Sequence, residues 1–260
     1  MQLNSRTAVI TGGASGMGRA LALRLHRQGV NVCILDTDRA EGAGLAASLG
    51  DRAAFHAADV TDDGQVAAAI DAAADRFGDI HICCNFAGAA ILGRTVGSRG
   101  PLPMATFRRC IEVNLCGTFN VVRLCADRMT RNAELDDGGG RGCIVTVSSV
   151  AAFQGPSGTA AYSAAKAAIV GMTLPLARDL APFGIRVNTI APGLILTPMT
   201  WGRDASRRDE AEWRAAESLR HVLHPARFGS AEEVAHLTQS LIENDYINAE
   251  CIRIDGGKRV

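Results

Sequence analysis

The sequence lacks any charge excess, any long apolar run and all but two tyrosines, and each shortage excludes something. Lysine plus arginine and aspartate plus glutamate both number 27 in 260 residues, so the formal net charge is zero. A chain without a basic excess carries no electrostatic footprint for nucleic acid or an anionic membrane. No apolar run approaches the ~20 residues that a bilayer crossing needs. The opening Met-Gln-Leu-Asn-Ser-Arg passes directly into Thr7–Ile10, without the basic segment, apolar stretch and small-residue cleavage site of a secretory leader. Metal-ligand spacing is missing as well: the eight cysteines form no CxxC and no Cys/His pattern. Cys33, Cys83, Cys84, Cys143 and Cys251 fall in strand-like runs, and Cys110, Cys116 and Cys125 in a helical one. They read as small buried hydrophobes in a reducing compartment, so a cytoplasmic location and no metal are expected.

What is present is alternation. Short apolar runs at Thr7–Ile10, Asn31–Leu35, Ala53–His56, Ile80–Cys84, Cys143–Ser148, Ile185–Ile190 and Cys251–Ile254 are rich in Val, Ile, Cys and Ala. Such runs suit a parallel sheet covered on both faces. Between them, Met17–Gln28, Ala40–Leu49, Asp62–Phe77, Thr106–Arg131, Ala161–Ala181 and Ala231–Ile242 show helical apolar spacing. Strand–helix alternation of this kind predicts an α/β, doubly wound sheet. With no internal linker or repeat, residues 1–260 are expected to form a single domain. Three segments break the pattern. Gly88–Pro103 is a glycine- and proline-rich loop, Asp136–Gly142 is a glycine turn, and Thr197–Gly229 is long and carries both tryptophans. Ligands of open α/β sheets bind at the carboxyl ends of strands, so residues 197–229 are expected to form a lid.

The first strand runs into Thr11-Gly12-Gly13-Ala14-Ser15-Gly16-Met17-Gly18, and a helix follows at once. Gly12 allows a tight turn, Gly16 lets the backbone approach a pyrophosphate, and Gly18 lets helix and strand pack closely. The helix N-terminus then offers free N–H groups and a positive dipole end to phosphates. The second strand ends at Asp36, 18 residues beyond Gly18. A carboxylate there accepts ribose hydroxyls and repels a 2′-phosphate, which favours NAD over NADP. Arg39 nearby offers the opposite reading, as a cation for that phosphate. Asp59-Val60 ends the third strand and is placed either beside an adenine or as a turn ahead of a helix.

Tyr162 precedes Lys166 by four residues, so the two share one helix face. An ammonium near a phenol favours phenolate and is expected to move the tyrosine pKa down from ~10. That suits a general acid/base acting on an alcohol. Ser149 lies 13 residues upstream at the end of a buried strand, with Ser148 as its competitor. Asn114 is polar within an apolar helix and must be hydrogen-bonded if buried, for structure or for chemistry.

Taken together, the glycine-rich loop, Asn85-Phe86-Ala87-Gly88, Asn114, Ser149, Tyr162, Lys166 and Pro192-Gly193 resemble the short-chain dehydrogenase/reductase family over nearly the whole chain. The resemblance implies a seven-stranded Rossmann-type sheet, matching the seven strand candidates, and usually a tetramer. It implies that Asn114 holds a water, Ser149 orients the carbonyl, Tyr162 transfers the proton, and Lys166 binds the nicotinamide ribose. Tyr162 and Lys166 thus also count among the cofactor contacts. Pro192, Gly193, Ile195 and Thr197 would cradle the carboxamide, and Asn85, Ala87 and Gly88 would line the adenosine side. Phe86 departs from the family's usual second asparagine, and Ser15 stands where NADP-preferring members often carry Arg or Lys.

Within the family, Asn114–Leu124, Ser149–Phe153, Ile169–Pro182 and Leu241–Asn244 resemble the type 2 3-hydroxyacyl-CoA dehydrogenases. That implies a small-molecule secondary alcohol or ketone as substrate, with a CoA thioester as the first reading; free alcohols, cyclic alcohols and hydroxysteroids are the alternative. A catalytically silent NAD-binding regulator is a further alternative, disfavoured by the four intact catalytic positions. The expected lid departs from that group. Trp201 and Trp213 accompany Arg203, Arg207, Arg208, Arg214, Arg220 and Arg227, interleaved with acids in the manner of a solvated helix.

Overall fold

The computed structural model describes residues 1–98, 100–135, 138–197 and 219–259. Seven strands form one parallel sheet: β1 (Thr7–Thr11), β2 (Asn31–Asp36), β3 (Ala53–Ala57), β4 (Ile82–Asn85), β5 (Gly142–Val147), β6 (Ile185–Pro192) and β7 (Cys251–Ile254). Their order is β7-β6-β5-β4-β1-β2-β3. The helices are α1 (Gly16–Arg27), α2 (Arg39–Leu49), α3 (Asp63–Phe77), α4 (Met104–Ile111), α5 (Gly117–Met129), α6 (Ala160–Leu180) and α7 (Ala231–Glu243). The chain is therefore a Rossmann-type, single-domain α/β protein.

Both faces of the sheet are covered, which is why its strands are apolar throughout: every residue of β1 and of β5 is buried. One core layer joins Leu21 and Leu25 of α1 to Ile34, Val145, and Val234 and Leu241 of α7. The other joins Val9, Cys33 and Ile144 to Ile70 of α3 and Val121 and Cys125 of α5. Short polar side chains start several helices where the sequence supplies them. Asp38 accepts from the Glu41 N–H at 3.3 Å and Asp62 from the Gln65 N–H at 2.9 Å. Ser230 and Glu233 form a reciprocal capping box on α7. Strand order turns back between β1 and β4, where Thr11 pairs with Asn85. The crevice beyond those carboxyl ends is where an open α/β sheet takes its ligand.

Three expectations need correction. Thr106–Arg131 is not one helix: α4 ends at Ile111, a π-helical turn spans Glu112–Cys116, and α5 begins at Gly117. The cause is Asn114, whose side-chain amide takes the Cys110 carbonyl at 3.0 Å, the acceptor an α-helix would assign to the Asn114 backbone. The Gly117 N–H then reaches back to the Glu112 carbonyl, and such bulges recur at functional sites. Second, Gly88–Pro103 is not wholly a loop, since Val96–Gly97 pairs antiparallel with Gly100–Pro101. Third, Ala160–Phe183 is long and apolar enough to cross a bilayer by length and composition, although only 33% of its most apolar window is buried in the chain. The helix packs along β6, and Lys166 within it is anchored to β5. The small and apolar residues on its outer side are taken up below.

The ends of the expected lid come together, Ile195–Leu196 pairing in parallel with Gly229–Ser230. Trp201, Trp213, Arg203, Arg207, Arg208 and Arg214 lie outside the described residues.

Candidate active site

The β1–α1 loop can be built only from glycine at two points. Gly12 has φ +63°, and a Cβ there would stand 2.7 Å from the Ala87 nitrogen; one on Gly18 would stand 2.2 Å from the Gly12 carbonyl oxygen. The turn therefore closes on itself and against the residues after β4. Ser15 is the N-cap of α1 but makes no capping bond with its side chain, and no acid stands in the first turn. The leading N–H groups and the Ser15 hydroxyl are thus left facing a cleft, and the helix end there favours an anion. A pyrophosphate fits this cradle.

Gly12, Ser15, Gly16, Met17, Gly18 and Asp36 line that cleft on one side, and Asp59, Val60, Ala87, Gly88 and Thr197 on the other. Asp36 is fixed at the rim, one carboxylate oxygen accepting from the Ala14 N–H and the other from the Asp38 N–H, both at 3.1 Å. Asp59 accepts from the Thr61 N–H at 2.9 Å and the Thr61 hydroxyl at 2.7 Å, and pairs with Arg109 at 3.5 Å. These bonds, the Thr61 N–H first, hold its carboxyl below the usual range. Six expected cofactor contacts lie outside the cleft lining: Tyr162 and Lys166, which belong to the polar cluster described below, and Asn85, Pro192, Gly193 and Ile195. Asn85 is buried at the end of β4 and donates to the Cys83 sulfur at 3.3 Å. Pro192 ends β6, the Gly193 N–H donates to the Ile254 carbonyl at 2.9 Å, and Ile195 lines a separate small cavity with Val222 and Pro225.

Where the cleft ends at Gly88, the polar side chains converge. A Cβ on Gly88 would stand 2.8 Å from Asn114 Oδ1 and 3.5 Å from Lys166 Nζ. The Asn114 amide bridges the chain, donating to the Ala89 carbonyl at 3.0 Å and accepting from the Ala89 N–H at 3.2 Å. Buried Lys166 donates to the Val147 carbonyl at 2.9 Å, and its Nζ lies 5.7 Å from the centre of the Tyr162 ring. The two serines separate cleanly. Ser148 is buried and donates to the Lys166 carbonyl at 2.7 Å, a bond that seats α6. Ser149 is half-buried, accepts from the Ala151 N–H at 3.2 Å and stands beside the Tyr162 hydroxyl.

The electrostatics reverse one expectation. Burial raises the Tyr162 pKa above its ordinary value; the Ser149 hydroxyl opposes this and Cys110 adds to it. Lys166 does not pull it down in the chain alone, because burial lowers Lys166 itself to about 8. The phenol is thereby kept protonated at neutral pH.

Sequence reasoning passed over Arg109 and Cys110, which face the cleft and the polar cluster respectively. Cys110 lies one helical turn before Asn114, its sulfur 3.7 Å from the Asn114 amide, and Arg109 lies one turn before Val113, which also lines the cleft. The i, i+4 spacing was the available signal.

A Rossmann cleft ending on a half-buried tyrosine and a buried lysine beside a serine defines a nicotinamide-dependent oxidoreductase. The sequence profile described as short chain dehydrogenase matches residues 6–208, and the chain belongs to that family. It is 48% identical over 256 residues to the 3-hydroxyacyl-CoA dehydrogenase type-2 of Bos taurus, covering 97% of this chain and 95% of that protein. The human protein of that name is 46% identical over 255 residues, with the same coverage of 97% and 95%. A 3-alpha-(or 20-beta)-hydroxysteroid dehydrogenase of Mycobacterium tuberculosis is 32% identical over 258 residues, 98% of this chain and 90% of that protein. The crystal structure of 3-hydroxyacyl-CoA dehydrogenase type-2 from Mycobacterium avium superposes with a TM-score of 0.90 at 37% identity, covering 100% of this chain and 98% of that one. The chain is an oxidoreductase that interconverts a secondary alcohol and a ketone.

Proposed function

We propose that the chain oxidises 3-hydroxyacyl-CoA thioesters with NAD, or reduces the corresponding ketones. The convergence of Ser149, Tyr162 and Lys166 at the end of the dinucleotide cleft carries the reading. The similarity to type-2 3-hydroxyacyl-CoA dehydrogenases supports the substrate class. When bound, NAD supplies the hydride acceptor. Ser149 orients the substrate oxygen by hydrogen bond. Tyr162 moves the proton at that oxygen, donating its phenolic hydrogen to a ketone or accepting one from an alcohol. Lys166, held by the Val147 carbonyl, steadies the ribose side. Asn114 holds the π-helical turn against Ala89, and by resemblance to the family it would hold a water for the relay. A panel of 3-hydroxyacyl-CoAs, free secondary alcohols and hydroxysteroids, followed by NADH absorbance, tests the substrate class. Turnover of alcohols or steroids with none of the thioesters would refute it.

Asp36 supports NAD over NADP. Its carboxylate is held by two backbone N–H groups at the rim, where a 2′-phosphate would meet a fixed negative charge. Wild type is expected to prefer NAD by about a hundredfold in kcat/KM, and Asp36→Ala to narrow the gap at least tenfold by removing that repulsion. Equal use of both cofactors by wild type would overturn the reading.

A homotetramer is the expected assembly. The outer side of α6 shows Ala164, Ala167, Gly171 and Leu174 to solvent, and Phe119 of α5 is 47% exposed beside Met172. Close-fitting small residues flanked by large apolar ones suit a two-fold contact. Light scattering at micromolar concentration should give about four times the 27.3 kDa chain mass; a monomer would refute the assembly, and a stable dimer would show only one of its two interfaces. Eight unpaired cysteines, six of them buried, support a reducing and hence cytoplasmic setting, which cell fractionation would check.

A further inference from the structure

A second groove shares no lining residue with the dinucleotide cleft. It lies between Arg94–Val96 of the loop after β4 and the segment Ala151–Ser163, which begins two residues after Ser149 and ends one residue past Tyr162. Its walls are Gly, Ala, Pro, Ser and Thr with Phe153 and Val96, and Arg94 is the one charged side chain among the described residues that line it. Among the described residues no carboxylate lines the groove with Arg94, and its guanidinium makes no ion pair or hydrogen bond with any of them.

The placement of Arg94 is built into the fold. The Gly93 N–H donates to the Gly158 carbonyl at 2.8 Å, tying the loop to the turn before α6. Gly158 has φ +86°, and a Cβ there would touch the Arg94 stem at 3.8 Å. The turn is closed further by Thr159, which donates to the Pro156 carbonyl at 2.6 Å. A cation with no acid among the described residues beside it, in a groove walled by the segment that joins Ser149 to Tyr162, is what a substrate with a remote negative charge requires.

We infer that Arg94 receives the anionic end of the substrate, which leaves the catalytic hydroxyls along this groove. The inference rests on the functional reading above, under which that end is the phosphate-bearing tail of the thioester. The acyl portion would then meet the apolar rim formed by Val96 and Phe153, which are 70% and 50% exposed.

The test compares wild type, Arg94→Ala and Arg94→Lys on three ketones reduced with NADH: acetoacetyl-CoA, its neutral N-acetylcysteamine analogue and acetoacetate. Arg94→Ala is expected to raise KM for acetoacetyl-CoA about tenfold, with kcat little changed, and Arg94→Lys to restore part of the loss. The neutral thioester should respond to neither substitution. A loss confined to acetoacetate would support the anion site and assign it to a carboxylate. Equal losses on charged and neutral substrates would overturn the inference, because they would mark a disturbed loop, and so would no loss at all. Should wild type reduce the smaller ketones but not acetoacetyl-CoA, the functional reading fails, while the acetoacetate arm still decides the role of Arg94.

Discussion

Tyr162→Phe is expected to lower kcat by about a thousandfold while leaving NADH affinity within about twofold. The substitution removes one oxygen and keeps the ring. The groups that shape the dinucleotide cleft are Gly12, Ser15, Gly18 and Asp36, and Tyr162 is not in its lining. Ser149 and Lys166 would remain, but neither offers an equivalent proton: Ser149 is an unactivated hydroxyl, and Lys166 is turned to the Val147 carbonyl. Stopped assays of turnover beside fluorescence titration of NADH separate the two effects. Wild type should also show alcohol oxidation rising with pH as the phenol is released from its raised pKa, and the variant's residual rate should lose that dependence. Retention of more than a tenth of wild-type turnover would mean that another group moves the proton.

That experiment bears on residues whose arrangement was visible in the chain before its structure, because they sit at fixed offsets within single elements. Tyr162 and Lys166 are one helical turn apart on α6, and Ser149 stands two residues past β5 in the connection that leads into that helix. The glycine-rich loop was equally legible, since a strand, a turn and a helix N-terminus follow in one short segment. Other features depended on distant contacts. Asn114 was visible as a polar residue in an apolar helix, but its π-helical turn depends on Ala89 from another loop. Ser148 and Ser149 differ in which side of the strand end meets α6, where Ser148 donates to the Lys166 carbonyl. The direction of the Tyr162 shift was misjudged because spacing shows the nearby ammonium and not the burial, and burial governs both groups. The groove beside Arg94 pairs two segments about sixty residues apart, and no periodicity relates them.

Alkaline pH is expected to unfold the chain steeply, beginning near pH 9, through its buried thiols. Cys33, Cys84, Cys125 and Cys143 are all fully buried around the central strands. Burial pushes Cys33 up to about 12 and Cys143 to about 11. Burial also raises Cys84 well above its ordinary value of 9.0, and Cys125 is raised likewise by its hydrogen bond with Cys83 and then by burial. A thiol whose folded pKa is raised holds its proton after the unfolded chain has released it. From about pH 9 upward the unfolded state therefore binds fewer protons, and stability falls by ~1.4 kcal/mol per pH unit for each such group. Lys166 acts in the opposite sense. Its folded value of about 8 lies below the ordinary 10.5, so between these limits it adds stability as pH rises. Lys258 is lowered likewise, but the raised thiols outnumber the two lysines, so stability falls between pH 9 and 10.5 and draws on the ~5–15 kcal/mol that holds a domain folded. Denaturant midpoints at pH 7 to 11 would measure the slope at fixed protein concentration. Cys33→Ala should destabilise the chain at pH 7 by leaving a small cavity, yet flatten the decline above pH 9 by about one proton. A decline of the same steepness in Cys33→Ala and in a matching Cys143→Ala would show that other groups drive the alkaline transition.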